Sequence, residues 1–449
     1  MTKRLTKEEV DQINPQTVHE VIGKFMLLQG FDYVFDFERS DGCYFFDSKT
    51  EKKFLDFFSF FASWAIGYNH PKMKEKQVLE DLARVSQVKV ANSGIYTIEM
   101  AKFVATFARV CMPKEFVKVF FIDGGTLAVE NAMKTAFDWK TKKNIENGKN
   151  IEASKVIHFK KAFHGRSGYN CSTTNTTPWK TKYFPQFNWP RISTPVVKFP
   201  LEGENLKNVI EAEKIAIKQI KDAIKESSDE IAALLIEPIQ GAGGDNHFRP
   251  EFIQELRKIT LENDIMMVCD EVQTGIGLTG KMWGYQNYGI VPDIVAFGKK
   301  AQVCGIIVTD RCLDVEDNVF LHHERIDSTW AGNIVDMVRA TRILEIIEED
   351  KLVENADKVG KYLLQKLLEL QKKYPTLLSN TRGKGLFCAF DLPNSALRDK
   401  FKQLCKSKSL ILLGSGPTSI RFRPPLILEN KHVDEGAEII ENVLKELCN

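Results

Sequence analysis

Two adjacent lysines follow a short apolar run in the segment VPDIVAFGKKAQVCG at residues 291–305. Lys299 and Lys300 come directly after Gly298, where the apolar run ends. A lysine amine among apolar residues can become a nucleophile, because burial disfavours its charged form. The residues alone therefore leave open whether this is an ordinary basic strand end or the site of a reactive amine.

A glycine pair lies at another strand end, in the segment FFIDGGTLAVENAMK. Gly124, Gly125 and Thr126 follow the apolar run, and a helical pattern begins after them. A helix starting here would direct unpaired backbone N–H groups and its positive end at a ligand, so a phosphate would fit. A simple tight turn is the alternative, because the full dinucleotide-binding spacing of glycines is absent.

An acidic pair, Asp270 and Glu271, ends the apolar run of MMVCDEVQTG. A carboxylate there could bind a metal, cap a helix or pair with a cationic ligand. The following GIGLTGKM matches part of a nucleotide-binding P-loop, which makes an ATPase an alternative. Met282 disfavours it, because a P-loop needs Ser or Thr at that position to bind magnesium.

The segment FHGR at residues 163–166 supplies an aromatic ring and a guanidinium at a further strand end. Arg166 is the informative member, since a guanidinium is the natural partner of a carboxylate. A phosphate cradle, an acid, an aromatic ring and a lysine at neighbouring strand ends are the groups needed to bind pyridoxal 5'-phosphate. Each group is a weak indication singly, but their order favours this cofactor.

The elements that would position these groups alternate along the chain. Apolar runs such as KVIHF (155–159) and AALLIEPI (232–239) alternate with helical patterns such as PEFIQELRKITLEN (250–263). Strands that are apolar on both faces and alternate with helices indicate an α/β fold, with a mostly parallel sheet covered by helices on both faces. Ligands bind outside the carboxyl ends of the strands in such a sheet.

The alternating pattern weakens after about Gly332. Long amphipathic helices and alternating runs such as GLFCAFDL follow, which favours a smaller α+β domain. We therefore expect a large cofactor-binding domain at 66–332 and a small C-terminal domain at 333–449. Residues 1–65 are expected to form an N-terminal segment that packs with the small domain.

Composition limits the possible partners. The 449 residues carry 62 Lys and Arg against 60 Asp and Glu, so the charge balance favours neither nucleic acid nor a membrane surface. Nine cysteines without a C-x-x-C pair do not resemble a disulfide framework or a zinc site. The N-terminus lacks an apolar run long enough for a signal or a membrane span. We expect a cytoplasmic protein without a metal site, whose partners are small molecules and a second copy of itself.

The block DEVQTGIGLTG followed by PDIVAFGK resembles the signature of the class III, or ω-amino-group, aminotransferases, which are fold-type I pyridoxal-phosphate enzymes. The resemblance covers nearly the whole chain and includes VENAMKTAFDWK, GGDNHFRPEF, STWAGN and RFRPPL. It implies a homodimeric enzyme of lysine degradation that passes the ε-amino group of L-lysine to 2-oxoglutarate. The products would be L-glutamate and 2-aminoadipate 6-semialdehyde, which cyclises to piperideine-6-carboxylate. Ornithine, N-acetylornithine or 4-aminobutyrate as donor, and a non-catalytic regulatory protein on the same fold, are the alternatives.

The resemblance also distinguishes the two lysines. The family's Schiff-base lysine directly follows the small residue after the P-D strand, which implies Lys299 and leaves Lys300 as a neighbouring or surface charge. By the same matching, Asp270 pairs with the pyridinium nitrogen and Phe163 stacks on the ring. Gln273 contacts the 3-oxygen of the ring and lies beside the substrate.

The remaining positions implied by the resemblance bind the two charged ends of the ligands. Gly125 and Thr126 hold the phosphate, and Thr329 reaches a phosphate across the interface of a dimer with shared active sites. Arg166 and Arg421 receive substrate carboxylates.

One departure from the family concerns Arg421. Many relatives mask this arginine during the amine-donor stage with a glutamate in an EPIQGE segment, whereas this chain reads EPIQGAGG with Ala242 at that place. Glu237 is close in sequence but occupies another point of the strand end. We therefore expect Arg421 to lack its usual partner.

Overall fold

The computed structural model describes residues 4–448 of the chain. The strands are β1 Tyr44–Asp47, β2 Lys52–Asp56, β3 Phe116–Ile122, β4 Lys155–Phe159, β5 Arg191–Ile192, β6 Ile231–Ile236, β7 Met266–Asp270, β8 Ile294–Phe297, β9 Cys304–Thr309, β10 Ser379–Lys384, β11 Phe387–Asp391, β12 Leu410–Ile411, β13 Leu413–Ser415 and β14 Ser419–Phe422. The helices are α1 Lys7–Asp11, α2 Val18–Phe25, α3 Ser59–Ala62, α4 Lys76–Val85, α5 Ile98–Cys111, α6 Gly125–Glu146, α7 Asn170–Thr173, α8 Gly203–Ser227, α9 Pro250–Glu262, α10 Ile334–Glu349, α11 Leu352–Lys373, α12 Ser395–Ser407 and α13 Asn430–Cys448. Short 3-10 helices lie at Pro71–Lys74, Pro178–Lys180, Gly284–Tyr288, Lys299–Ala301, Asp310–Leu313 and Val319–Leu321.

The main sheet has seven strands in the order β3-β9-β8-β7-β6-β4-β5. Its strands β8, β7, β6, β4 and β5 are parallel, and β9 runs antiparallel to both of its neighbours, β3 and β8. The prediction of a mostly parallel α/β sheet is therefore confirmed. The antiparallel strand β9 lies inside the sheet, so residues 298–303, which follow β8, turn back directly into the neighbouring strand.

Both faces of this sheet are buried, as the continuous apolar runs predict. In β6 every residue is buried, and Leu234 and Leu235 pack into two separate cores on opposite faces. Helix α6 covers one face with small and apolar residues such as Ala132 and Met133. Helices α5 and α9 cover the other face with Phe103, Phe252 and further apolar side chains. The sheet can thus present polar groups only beyond its strand ends.

Two smaller sheets use the rest of the chain. The antiparallel sheet β10-β11-β14-β13 and the helices α11 to α13 form an α+β arrangement in the C-terminal third. In the third sheet, β1-β2-β12, the N-terminal strand β2 pairs in parallel with β12. The N-terminal segment thus hydrogen-bonds to C-terminal residues, whereas the three domain boundaries expected from the sequence stay a prediction.

The turn α3 is left-handed. Its four residues, Ser59 to Ala62, all have positive φ angles between 36° and 68°, although none is glycine. Such a conformation costs roughly 1–2 kcal/mol per residue, so other contacts must stabilise it. Asp56 Oδ1 accepts hydrogen bonds from the amides of Phe58 and Ser59, at 2.7 and 3.0 Å. Ser59 Oγ donates to the carbonyl of Arg423, 2.5 Å away.

Most predicted elements coincide with observed ones. The run KVIHF forms β4 without a change of bounds, whereas β6 ends at Ile236, two residues before Pro238. A proline has no N–H to continue the ladder, which explains the earlier end. Among residues 4–448, no helix is both long and apolar enough to span a bilayer.

Candidate active site

A cavity of about 560 Å³ lies beyond the carboxyl ends of the parallel strands, where the α/β fold places ligands. Most of the site residues predicted from the sequence line it together, although they come from four separate segments. Predicted residues that line the cavity are Gly125, Thr126, Phe163, Arg166, Asp270, Gln273 and Lys299.

The glycine pair forms a cradle between β3 and helix α6. Gly124 has a φ of +95°, which favours glycine, and α6 begins at the next residue. A Cβ atom on Gly125 would lie 2.8 Å from the side chain of Val272. Across the cavity, a Cβ on Gly165 would lie 2.0 Å from Thr126 Oγ1. Both residues at the start of the helix, Gly125 and Thr126, line the cavity, and their predicted contact with a phosphate stays a prediction.

Asp270 is held in place by a histidine that the sequence alone did not assign. His164 Nδ1 lies 2.8 Å from Asp270 Oδ2, and both side chains are buried. The second carboxylate oxygen accepts the backbone N–H of Val272 at 3.0 Å. His164 Nε2 has no hydrogen-bond partner in the part of the chain described. The histidine therefore orients the acid toward the cavity.

Glu271, the neighbour of Asp270, has a structural role. Its carboxylate accepts hydrogen bonds from Thr274 Oγ1 and from the amides of Gly284 and Tyr285, the latter two at 2.9 and 2.6 Å. Burial raises its pKa to about 7. These contacts fix the start of the 3-10 helix and turn the carboxylate away from the cavity.

The partial P-loop match does not form a P-loop. The segment at 275–282 consists of turns between β7 and the short 3-10 helix at Gly284–Tyr288. A phosphate-binding loop needs a strand directly before it and a full helix directly after it. The ATPase alternative is therefore wrong.

The two lysines face different surroundings. Lys299 lines the cavity, and burial lowers its pKa, while Asp270 opposes this shift and Arg421 reinforces it. Lys300 is 1% exposed and donates from Nζ to the carbonyl of Ala62 at 2.8 Å. Of the two expectations for Lys300, a neighbouring residue or a surface charge, the surface charge is wrong, because its buried side chain stabilises the left-handed turn.

The motif RFRPPL contains two arginines in opposite situations. Arg423 is buried, forms an ion pair with Asp245 and lies over the ring of Phe387 at 3.2 Å. Arg421 is 8% exposed, and its Nε and Nη1 atoms have no partner among the described residues. Burial lowers the pKa of Arg421, which Asp245 and Glu237 partly oppose. Arg421 is thus the arginine left for a ligand.

Glu237 does not replace the missing partner of Arg421. Its two oxygens accept the backbone N–H groups of Phe163 and Gly241, at 2.9 and 3.1 Å. Burial raises its pKa to about 7. Ala242, at the position where the family resemblance implies a masking glutamate, lines the cavity with only a methyl group.

Two further predicted residues lie differently relative to the cavity, since Gln273 lines it and Thr329 does not. Gln273 is held by Arg423, whose Nε donates to Gln273 Oε1 at 3.3 Å. Thr329 is exposed and does not line the cavity of its own chain, and its carbonyl accepts Ser93 Oγ at 3.1 Å. Its expected role in a partner's site stays a prediction. Ser167 and Cys304 also line the cavity, and the sequence analysis did not select them.

A family model described as aminotransferase class-III matches residues 29–444 of the chain. The chain belongs to the class III aminotransferases. Its relatives include an L-lysine-epsilon aminotransferase of Mycobacterium tuberculosis, 45% identical over 432 residues and covering 96% of both chains. A 4-aminobutyrate aminotransferase of Kluyveromyces lactis is 36% identical over 442 residues, which are 92% of this chain and 91% of the relative. The solved lysine aminotransferase from M. tuberculosis in the internal aldimine form has a TM-score of 0.94 and 44% identity, covering 96% of this chain and 99% of that chain.

Class III aminotransferases use pyridoxal 5'-phosphate, and the residues of this aminotransferase fit that cofactor. The cradle at Gly125 and Thr126 leaves backbone N–H groups for a phosphate, and Asp270 supplies a buried carboxylate oriented by His164. Phe163 supplies a ring, and Lys299 supplies an amine in the same cavity. The cavity thus offers a suitable group to the phosphate, to the ring nitrogen and to the aldehyde of the cofactor.

The two lysines yield the first prediction. Treating the holoenzyme with borohydride should fix the cofactor covalently to Lys299, as peptide mapping would show. Lys299→Ala should lower kcat by about a thousandfold or more, because the amine also moves protons. Lys300→Met should keep the label on Lys299 but lower the melting temperature, since an unsatisfied Ala62 carbonyl costs about 1–3 kcal/mol. A label on Lys300 would contradict the assignment.

Proposed function

We propose that this aminotransferase transfers the ε-amino group of L-lysine to 2-oxoglutarate, producing 2-aminoadipate 6-semialdehyde and L-glutamate. The observation that carries the proposal is the 45% identity, over 96% of both chains, to the L-lysine-epsilon aminotransferase of M. tuberculosis. The identity to the 4-aminobutyrate relative is 36%, which favours lysine as the donor. The two arginines beside the cofactor cavity suit substrates that carry carboxylates.

In the proposed reaction, Lys299 is the general acid and base. Bound pyridoxal phosphate supplies an electron sink for the carbon that loses its proton. The lowered pKa of Lys299 leaves its amine available to take a proton from the ε-carbon of the substrate. Asp270, oriented by His164, keeps a negative charge next to the cofactor position. Gly125 and Thr126 hold the phosphate end, and Phe163 covers one side.

In this proposal, Arg166 and Arg421 bind the carboxylates of the two substrates. Neither arginine has a carboxylate partner among the described residues, so each is free to bind one. Lysine must place its distal amine, and 2-oxoglutarate its 2-keto carbon, at the same point of the cavity beside Lys299. We assign the distal carboxylate of either substrate to Arg166, and the carboxylate beside the keto carbon to Arg421.

The central test follows the nitrogen atom. Purified holoenzyme would receive 2-oxoglutarate and L-lysine that carries heavy nitrogen at the ε position only. Mass spectrometry should find the heavy nitrogen in glutamate, and o-aminobenzaldehyde should trap the cyclised semialdehyde. Ornithine, N-acetylornithine and 4-aminobutyrate serve as competing donors. A higher kcat/KM for one of these donors would overturn the proposal. Heavy nitrogen retained in the product formed from lysine would also overturn it.

The unmasked Arg421 leads to a separate prediction. Ala242→Glu would introduce a carboxylate that pairs with Arg421 and competes with the acceptor's carboxylate. We expect the KM for 2-oxoglutarate to rise about tenfold, the size of a charge-assisted hydrogen bond, with little change in the lysine half-reaction. Ala242→Gln is the control of similar size without charge. Equal effects on the two half-reactions, measured separately by stopped-flow absorbance, would contradict the role of Arg421.

The proposal includes a homodimer. Five large apolar side chains, Leu27, Phe37, Tyr96, Trp179 and Tyr183, are between 75% and 83% exposed. Exposed apolar residues in such numbers favour burial against a partner. Thr329 is also exposed, outside the cavity of its own chain, which agrees with a role in the partner's site.

Hybrid dimers test the shared site directly. Coexpression of differently tagged Lys299→Ala and Thr329→Ala chains would give hybrids that two-step affinity purification isolates. If Thr329 serves the partner's site, one of the two sites in each hybrid has both residues intact. The hybrid should then recover close to half of the wild-type activity, while both parent homodimers stay impaired. A hybrid as inactive as its parents would show that each chain uses its own Thr329.

A cytoplasmic location is the last part of the proposal. All nine cysteines are free thiols in the described residues, which suits a reducing compartment. Cell fractionation with an antibody against the chain would test this location.

A further inference from the structure

Lys180 lies beside the cavity at the end of the 3-10 helix Pro178–Lys180. Its ammonium is 5.0 Å from the ring centroid of Phe163, which lines the cavity. Lys180 Nζ donates to Thr176 Oγ1 at 2.8 Å. In the part of the chain described, no carboxylate lies within ion-pair distance of this half-buried ammonium. Lys180 is therefore a cation next to the site whose charge has no protein partner.

Lys180 belongs to a cluster of three such cations. Burial lowers its pKa, and the nearby charges of Arg166 and Arg421 lower it further, while Glu237 opposes them. Neither arginine forms an ion pair among the described residues, and Arg421 has two unpartnered nitrogen atoms. Like charges brought together without counter-charges repel, and an anionic ligand removes this cost.

The cluster has little negative charge to balance it. Glu237 is committed to the amides of Phe163 and Gly241, and burial favours its neutral form. Ala242 adds no carboxylate. Three cations around one cavity exceed what one carboxylate needs, and they match the two carboxylates of a dicarboxylate acceptor.

We propose that Lys180 is a specificity-determining residue that, together with Arg166, binds the distal carboxylate of the dicarboxylate acceptor. This inference rests on the proposed function for the identity of the acceptor as 2-oxoglutarate. Lysine presents an α-carboxylate next to an α-ammonium in the same region, so the attraction and repulsion by Lys180 largely cancel. Lys180 thus favours the acceptor over the donor.

Binding of non-reactive ligands to the holoenzyme tests the inference without turnover. Glutarate and pentanoate share a five-carbon chain, but only glutarate carries a second carboxylate. In isothermal titration calorimetry, Lys180→Met should raise the Kd for glutarate about tenfold, the effect of losing one charge-assisted hydrogen bond, and change that for pentanoate less than about twofold. Lys180→Arg, which keeps the charge, should recover most of the glutarate affinity.

Lys182 provides a matched control on the same loop. Its ammonium also lies over an aromatic ring, that of Tyr183 at 4.6 Å, but this ring does not line the cavity. Lys182→Met should leave both affinities unchanged. The inference is overturned if Lys180→Met weakens glutarate and pentanoate equally, if it changes neither, or if Lys182→Met has the same effect.

Steady-state kinetics separates this inference from the proposed function. Lys180→Met should raise the KM for 2-oxoglutarate about tenfold and that for lysine less than about threefold, with kcat nearly constant. If lysine is not the donor, the nitrogen-transfer test fails while glutarate binding still depends on Lys180. If only the inference is wrong, lysine turns over normally, and the Kd for glutarate is the same with and without the Lys180 side chain.

Discussion

At two strand ends, adjacent residues divide their roles, with one side chain at the cavity and the next held away from it, and the site depends on both pairs. After β7, Asp270 turns to the cavity and Glu271 turns away to bind backbone amides. After β8, Lys299 lines the cavity and Lys300 extends to the carbonyl of Ala62. In each pair one member is available for chemistry because the other is fixed by hydrogen bonds that hold the loop. At each strand end, one residue thus offers a reactive group to the cavity, and its neighbour fixes the loop by hydrogen bonds.

The same division appears among the cations of the site. Arg423 is neutralised by Asp245 and supports Gln273, whereas Arg421 keeps unpartnered nitrogen atoms. Arg421, without a carboxylate partner, lies near the cavity, and Arg423, which pairs with Asp245, lies behind Gln273. Charge in this region is therefore arranged for anionic substrates and not for the stability of the empty chain, since clustered unpaired cations repel one another.

Local pattern was sufficient for much of the fold. The run KVIHF predicted β4 with its bounds, and the helical pattern after Thr126 predicted α6, although this helix begins two residues earlier, at Gly125. The choice of Lys299 over Lys300 needed the family motif, because both lysines have the same local sequence environment. Strand β12, which pairs with β2, could not be predicted, since the two strands are far apart in the chain.

The contributions of single side chains to the site were harder to predict. His164, Lys180 and Lys300 each contact a residue from another segment, namely Asp270, Phe163 and Ala62. No period or spacing indicates such a contact, because it depends on how loops pack after the sheet has formed. The sequence therefore predicted which groups the chemistry requires, but not which side chains hold them.

The left-handed turn at Ser59 to Ala62 also bears on the order in which the chain acquires its structure. Its backbone opposes this conformation, and apart from the local bonds to Asp56, the bonds that stabilise it come from Lys300 and from the carbonyl of Arg423. During synthesis both residues leave the ribosome long after the turn does. A segment made early therefore gains its distant supports only when nearly the complete polypeptide has been made, and a chain truncated before Lys300 would leave it only the local bonds to Asp56.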